Sequence, residues 1–173
     1  MYKRFFFLIM LFALSSCTRE EFLNQMTQQE TQIEKYSSTL PSEEVVFNDG
    51  VWRVVLEDGT GTYGAESGDS VKFNYSAYIF NNGKGNLFDT NIKSVAREAG
   101  LGMDQIFFQP REKILGKGEL LPGLERGLSG VKKGERCYLI FSSRHGFGNK
   151  QIVMVPKMSP LIYEVWVIDV KQN

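Results

Sequence analysis

Histidine occurs once in these 173 residues and cysteine only twice. That scarcity leaves no material for a disulfide framework or for a metal centre built from His and Cys ligands. Charge of one sign is equally scarce, because 20 Lys and Arg balance 20 Asp and Glu. A neutral chain offers no basic face for nucleic acid. The longest apolar run, Phe5 to Leu14, is shorter than the roughly 20 residues that a membrane-spanning helix requires. What is present is an ordinary globular composition, 42% apolar and 23% charged, enough for one folded core plus an appendage.

The appendage comes first. Lys3 and Arg4 precede the run Phe5 to Leu14, which has the shape of an export signal. Leu14-Ser15-Ser16-Cys17 follows and resembles the lipobox of bacterial lipoproteins, in which the cysteine becomes the lipid-bearing N-terminus. Residues 1–16 are therefore expected to be a signal peptide cleaved before Cys17, and Cys17 the lipidation site. Cleavage would remove Lys3 and Arg4, leaving a net charge of about −2, and several acyl chains on one residue would tether the protein to a membrane without crossing it. The residues after Cys17, Thr18-Arg19-Glu20-Glu21, have no aspartate at the second position. By resemblance to lipoprotein sorting rules, that points to the outer membrane, facing the periplasm or the cell surface.

Residues 17–44 turn polar and contain no glycine. Phe22, Met26, Ile33, Tyr36 and Leu40 nevertheless fall at helix-like intervals before Pro41. The pattern predicts a polar tether, helical or flexible, between anchor and domain.

From Val45 onward the period changes to two. Trp52 to Leu56 reads as a strand, and Ser70 to Phe80 alternates so that Val71, Phe73, Tyr75, Ala77 and Ile79 share a face. Antiparallel pairing of these two strands is the simplest expectation. Between them, Gly59, Gly61 and Gly64 match G-x-G-x-x-G. That motif cradles phosphate only at the start of a helix, and here a strand follows, so the segment reads as a loop. Leu120, Leu124 and Leu128 fit one face of a short helix with Pro122 in its first turn. Arg136 to Ser142 and Leu161 to Val170 close the chain as strands, the latter with Leu161, Tyr163, Val165 and Val167 on one side. In the first of these, Cys137 alternates with Tyr138 and Ile140 and shares a face with Leu139 and Phe141, which predicts a buried structural thiol.

In order along the chain, GDSVKFNYSAYIFNNGKGNLFDTN, LGKGELLPGLERGLSGVKKGE, HGFG and VPKMSPLIYEV resemble the motifs of FKBP-type peptidyl-prolyl cis-trans isomerases, the macrolide-binding immunophilins, over roughly residues 66 to 171. The resemblance implies an α+β fold, an FKBP-like half-open antiparallel sheet wrapped around one short helix, spanning residues 45–173. It implies a prolyl pocket in which Tyr75, Phe88, Asp89, Leu121 and Phe147 act on the substrate and Leu120, Leu124, Val155 and Tyr163 line its binding surface, without a metal or cofactor. The implied partners are X-Pro segments of exported proteins and macrolide inhibitors. The activity so implied is a lipid-anchored folding catalyst.

The sequence departs from the family at three places. Phe147 stands where a tyrosine hydroxyl is usual. Arg111 falls near an aromatic wall position, with Phe107 and Phe108 close enough to substitute. The segment Asn91 to Gln109 is longer than usual, with SVAREAGLGMDQIFF suggesting a helical turn over the pocket mouth that would gate or plug it. If these changes close the pocket, the alternative is an FKBP-like binding or chaperone lipoprotein without catalysis. The solitary His145 sits in RHGFGNK, and no residue is spaced to partner it as a base. It is expected to be an exposed loop residue with no catalytic role.

Overall fold

The computed structural model describes residues 2–102 and 108–173, with side chains from Arg19 onward. Helix α1 (Tyr2–Ser37) leads into an antiparallel sheet of seven strands: β1 (Glu44–Asn48), β2 (Val51–Glu57), β3 (Ser70–Phe80), β4 (Lys84–Thr90), β5 (Arg111–Ile114), β6 (Arg136–Phe141) and β7 (Leu161–Lys171). Helix α2 (Lys93–Glu98) follows β4, and α3 (Pro122–Leu128) separates β5 from β6. The strand order is β1-β2-β6-β7-β3-β4, and β5 pairs with the first half of β3.

The expected hairpin between β2 and β3 does not form. Strand β2 pairs with β1 and β6, and β3 pairs with β7, β4 and β5. The intervening loop crosses over instead, pinned where Thr60 N–H donates to the Lys133 carbonyl and Ala65 N–H to the Val131 carbonyl. Gly64 lies so close to Gly130 that a Cβ would come within 2.9 Å of its carbonyl oxygen. The glycine-rich stretch is thus a packed loop.

The concave face of the sheet holds the main core. Val71, Phe73, Tyr75 and Ala77 of β3 meet Leu161, Tyr163, Val165 and Val167 of β7 and Cys137, Leu139 and Phe141 of β6, all buried together with Leu124 and Leu128 of α3. Helix α3 begins at Pro122, whose missing N–H and fixed φ suit the first helical position. Its glycines press against β6: a Cβ on Gly123 would lie 2.5 Å from the Phe141 ring, and one on Gly127 would lie 2.8 Å from Leu139. Burial pushes the Cys137 thiol well above its ordinary pKa, as expected for a structural cysteine.

The opposite face is covered too. Ile33 of α1 is fully buried against Val54, Phe80, Ile140 and Ile162, flanked by Tyr36, Leu40 and Tyr138. Burial of one such isoleucine is worth about 1.5–3 kcal/mol. The Gln29 amide donates to the Met158 carbonyl at 2.6 Å and accepts from Ser143 N–H at 2.9 Å. The second half of α1 is therefore docked on the domain, beyond what a spacer requires. That docking also accounts for the apolar Ile140 of β6 and Ile162 of β7 on the face away from the main core.

His145 is the second departure from expectation. It ends a short 3-10 turn, Ser143–His145, and only 8% of its surface is exposed. The β1–β2 turn lies on its ring, in contact through Gly50, which has φ +86°. Burial, and then the Arg126 charge, lower its pKa. It is a buried packing residue and does not line the cleft described next.

Candidate functional site

Strand β3 delivers Tyr75 and β4 delivers Phe88 and Asp89 to the rim of the concave face, where β4 pairs with the end of β3. The Thr90 hydroxyl donates to the Tyr75 carbonyl at 2.7 Å, and the Asn91 carboxamide oxygen accepts from Tyr75 N–H at 2.8 Å. The Asn91 amide group also donates to the Gln109 carbonyl at 2.9 Å. One side chain thereby ties together the two ends of the long segment and fixes the strand that carries Tyr75.

The result is a cleft of about 260 Å³. It is lined by the buried Leu124 and Tyr163, by Leu120 and Leu121 just before α3, and by Phe147, Tyr75 and Asp89. Aromatic rings pack both edge to face and stacked. Phe88 lies 6.0 Å from Tyr163 at 85° and 6.2 Å from Phe147 at 73°, while Tyr163 stacks on Phe141 at 5.8 Å. These are the favoured orientations of ring quadrupoles. Phe88 thus packs against Phe147 and Tyr163 and is not itself among the cleft-lining residues. Val155 is 1% exposed and belongs to the core, outside the cleft lining.

Two polar groupings interrupt the apolar surface, the Lys113–Glu119 ion pair and the set formed by Tyr75, Asp89 and Arg111. The Tyr75 hydroxyl donates to Asp89 Oδ2 at 2.7 Å, and Arg111 Nη2 stands 3.5 Å from the same hydroxyl oxygen. Burial, reinforced by the Asp89 carboxylate, pushes the Tyr75 pKa up to about 12. Its proton is therefore retained across the physiological range and held on Asp89. Tyr163 is shifted upward for the same leading reason, burial. The N–H of Leu121, the residue that precedes α3, has no hydrogen-bond partner among the described residues.

The long segment leaves the cleft open as far as it is described. Helix α2 does form, but its Val95 and Glu98, with Ala99 just after it, line a separate groove with Leu87 and Trp166, and neither they nor Phe108 line the cleft. Phe107 lies outside the described residues. Sequence reasoning missed Phe73, Lys113 and Glu119, which also line the cleft. The first has a legible signal, since it shares the inward face of β3 with Tyr75. A larger groove of about 760 Å³ runs beside α3 past Gly116, Glu125 and Arg126. It has no aromatic lining residue and shares only Leu120 with the cleft.

A small, largely apolar cleft with a carboxylate–phenol pair, set on an open antiparallel sheet packed on a short helix, defines an α+β protein with a recess built from β3, β5, β7 and the start of α3. Comparison makes this specific. Residues 61–168 match the profile of the FKBP-type peptidyl-prolyl cis-trans isomerases, and the chain belongs to that family. It is similar to FK506-binding protein 1 of Aspergillus oryzae, with 29% identity over 122 residues, covering 70% of this chain and 98% of that protein. It is also similar to the peptidyl-prolyl cis-trans isomerase FKBP4 of Rattus norvegicus, with 26% identity over 140 residues, covering 78% of this chain and 27% of the rat protein. Among solved structures, FkpA from Escherichia coli superposes with a TM-score of 0.59 at 21% identity, covering 95% of this chain and 70% of that one. The isomerase of Pseudomonas syringae pv. tomato gives 0.62 at 19% identity, covering 86% and 95%. The fold expected from the sequence is thus the fold observed, with the N-terminal helix included.

Proposed function

We propose that this FKBP-type isomerase is lipid-anchored through Cys17 and acts on X-Pro bonds of exported polypeptides in the cell envelope. The observation that carries the catalytic part is the Tyr75–Asp89 pair over an open aromatic cleft. Rotation of an X-Pro amide needs no nucleophile and no proton transfer. It needs an environment that favours the twisted amide, which has lost resonance and dipole, over the planar one. Leu121, Leu124, Phe147 and Tyr163 supply an apolar surface for the proline ring, with Phe88 packed against two of them, and the Leu121 N–H supplies a fixed donor for a substrate carbonyl. The uncatalysed barrier is about 18–20 kcal/mol. Lowering it by about 4–7 kcal/mol gives roughly a thousandfold to hundred-thousandfold acceleration, within reach of packing and preorganisation.

The export part rests on Lys3-Arg4, the run Phe5 to Leu14 and Leu14-Ser15-Ser16-Cys17. Among the described residues no helix is long and apolar enough to cross a membrane, so attachment through acyl chains is the mode this reading requires. The outer membrane is the proposed destination, on the absence of aspartate after Cys17.

The test has two arms. A soluble form that begins at Thr18, and so retains the docked half of α1, should accelerate cis/trans exchange of an X-Pro peptide measured by NMR, with inhibition by an FK506-type macrolide. No acceleration from the folded protein would refute the catalytic reading. In cells, labelled fatty acid should enter the full chain and be lost in Cys17→Ala, with the wild type fractionating with the outer membrane. Labelling that survives the substitution would refute the anchor.

A further inference from the structure

Two of the charged residues on the concave face belong to β5. Its register places Arg111 opposite Phe73 and Lys113 opposite Val71. Facing residues of an antiparallel pair project to the same side, so two cations occupy positions where the pattern of β3 calls for apolar side chains. Both line the prolyl cleft. Glu112, between them, projects to the other side, toward Lys171 at 3.2 Å and Ser70 at 3.3 Å.

The two cations are not equivalent. Lys113 is neutralised by Glu119 at 2.7 Å. Asp89 already accepts the Tyr75 proton, and it stands beyond ion-pair distance of Arg111. Among the described residues the only polar contact of Arg111 is the neutral Tyr75 oxygen at 3.5 Å. Its guanidinium therefore sits at the exposed mouth of the cleft with most of its N–H donors unused, beside the place where a bound proline must lie. A planar fork of donors matches a carboxylate through two parallel bonds.

We propose that Arg111 is a specificity-determining residue that selects X-Pro segments carrying Asp or Glu next to the proline. The inference rests on the isomerase reading of the same cleft. The stem of Arg111 covers apolar surface beside Phe73 while its head remains wet, so the preference is moderate and sensitive to salt.

The experiment compares short peptides that differ only in the residue before or after proline, Glu against its neutral isostere Gln and against Lys. Cis/trans exchange is followed by NMR, and binding of the same peptides by fluorescence anisotropy. The expected result is a kcat/KM about three- to tenfold higher for Glu than for Gln on at least one side. That ratio should fall to about one in Arg111→Gln or at high salt, and Arg111→Glu should reverse it in favour of Lys. Circular dichroism checks that each variant is folded. Equal rates for Glu and Gln peptides in the wild type, or a preference that survives Arg111→Gln, would overturn the proposal. If no peptide is accelerated, the isomerase reading fails instead. The anisotropy arm then decides this inference: tighter Glu binding that Arg111→Gln abolishes supports it, and equal binding overturns it.

Discussion

The hydroxyl of Tyr75 holds its proton on Asp89 at 2.7 Å, in a cleft whose other lining residues are apolar except for Arg111, Lys113 and Glu119. Asp89 would otherwise face apolar walls without a donor. Tyr75→Phe keeps the ring and removes that donor. The expected loss is about 0.5–1.5 kcal/mol, or roughly two- to tenfold in kcat/KM for X-Pro exchange. Unchanged kinetics would show that the pair is structural only.

The same hydroxyl gives a prediction at alkaline pH. Its pKa rises from 10.0 to about 12 on folding. Below pH 10 both states hold the proton and the contribution to stability is complete. Between about 10 and 12 the unfolded state has lost the proton while the folded state keeps it, so stability falls as pH rises. Denaturant titrations from pH 9 to 12 should show this decline, with a shallower slope in Tyr75→Phe.

Phe147 abuts Phe88 edge to face at the cleft rim, where the family usually offers a tyrosine hydroxyl. Phe147→Tyr adds a donor at a half-buried position without removing a contact. It should raise macrolide affinity by about two- to tenfold, the worth of one hydrogen bond, as measured by calorimetry. A decrease would mean that the added oxygen is buried without a partner.

Gln29 joins α1 to the domain by bonds to Met158 and Ser143. Gln29→Ala leaves a buried carbonyl and a buried N–H unsatisfied, at a cost of about 1–3 kcal/mol each. A marked fall in Tm is expected, whereas Phe22→Ala, on the exposed part of the helix, should be nearly neutral. Equal effects at the two sites would show that α1 is not docked in solution.

Cys137 is fully buried and its pKa is raised by burial first. In the soluble form that begins at Thr18, where Cys137 is the sole thiol, the folded protein should resist thiol reagents at pH 8 and react at once in denaturant. Labelling at native rates comparable with those of the unfolded chain would contradict the core placement.

Local periodicity made much of this legible. The alternation in β3, β6 and β7 gave their inward faces correctly, because a period of two is enforced residue by residue along a strand. Pro122 and the leucines around it marked α3, since a proline is tolerated only at a helix start. Strand pairing was not legible. Trp52 to Leu56 carries no mark that says whether its partner is β3 or β6, because the partner of a strand is chosen by the whole sheet and not by the connecting loop.

The sequence by itself determined which residue types were available for chemistry and which faces were apolar, and the collinear motifs pointed to the family. Only the tertiary structure decided three further matters. It buried His145, because the β1–β2 turn closes over it. It docked Gln29 and Ile33 on the back of the sheet, where a polar composition had suggested a spacer. It also turned Arg111 and Lys113 into the cleft, since the facing of a four-residue strand is set by its register with β3. Each is a contact between segments far apart in the chain, and such contacts form from the packing of whole elements, which no local pattern encodes.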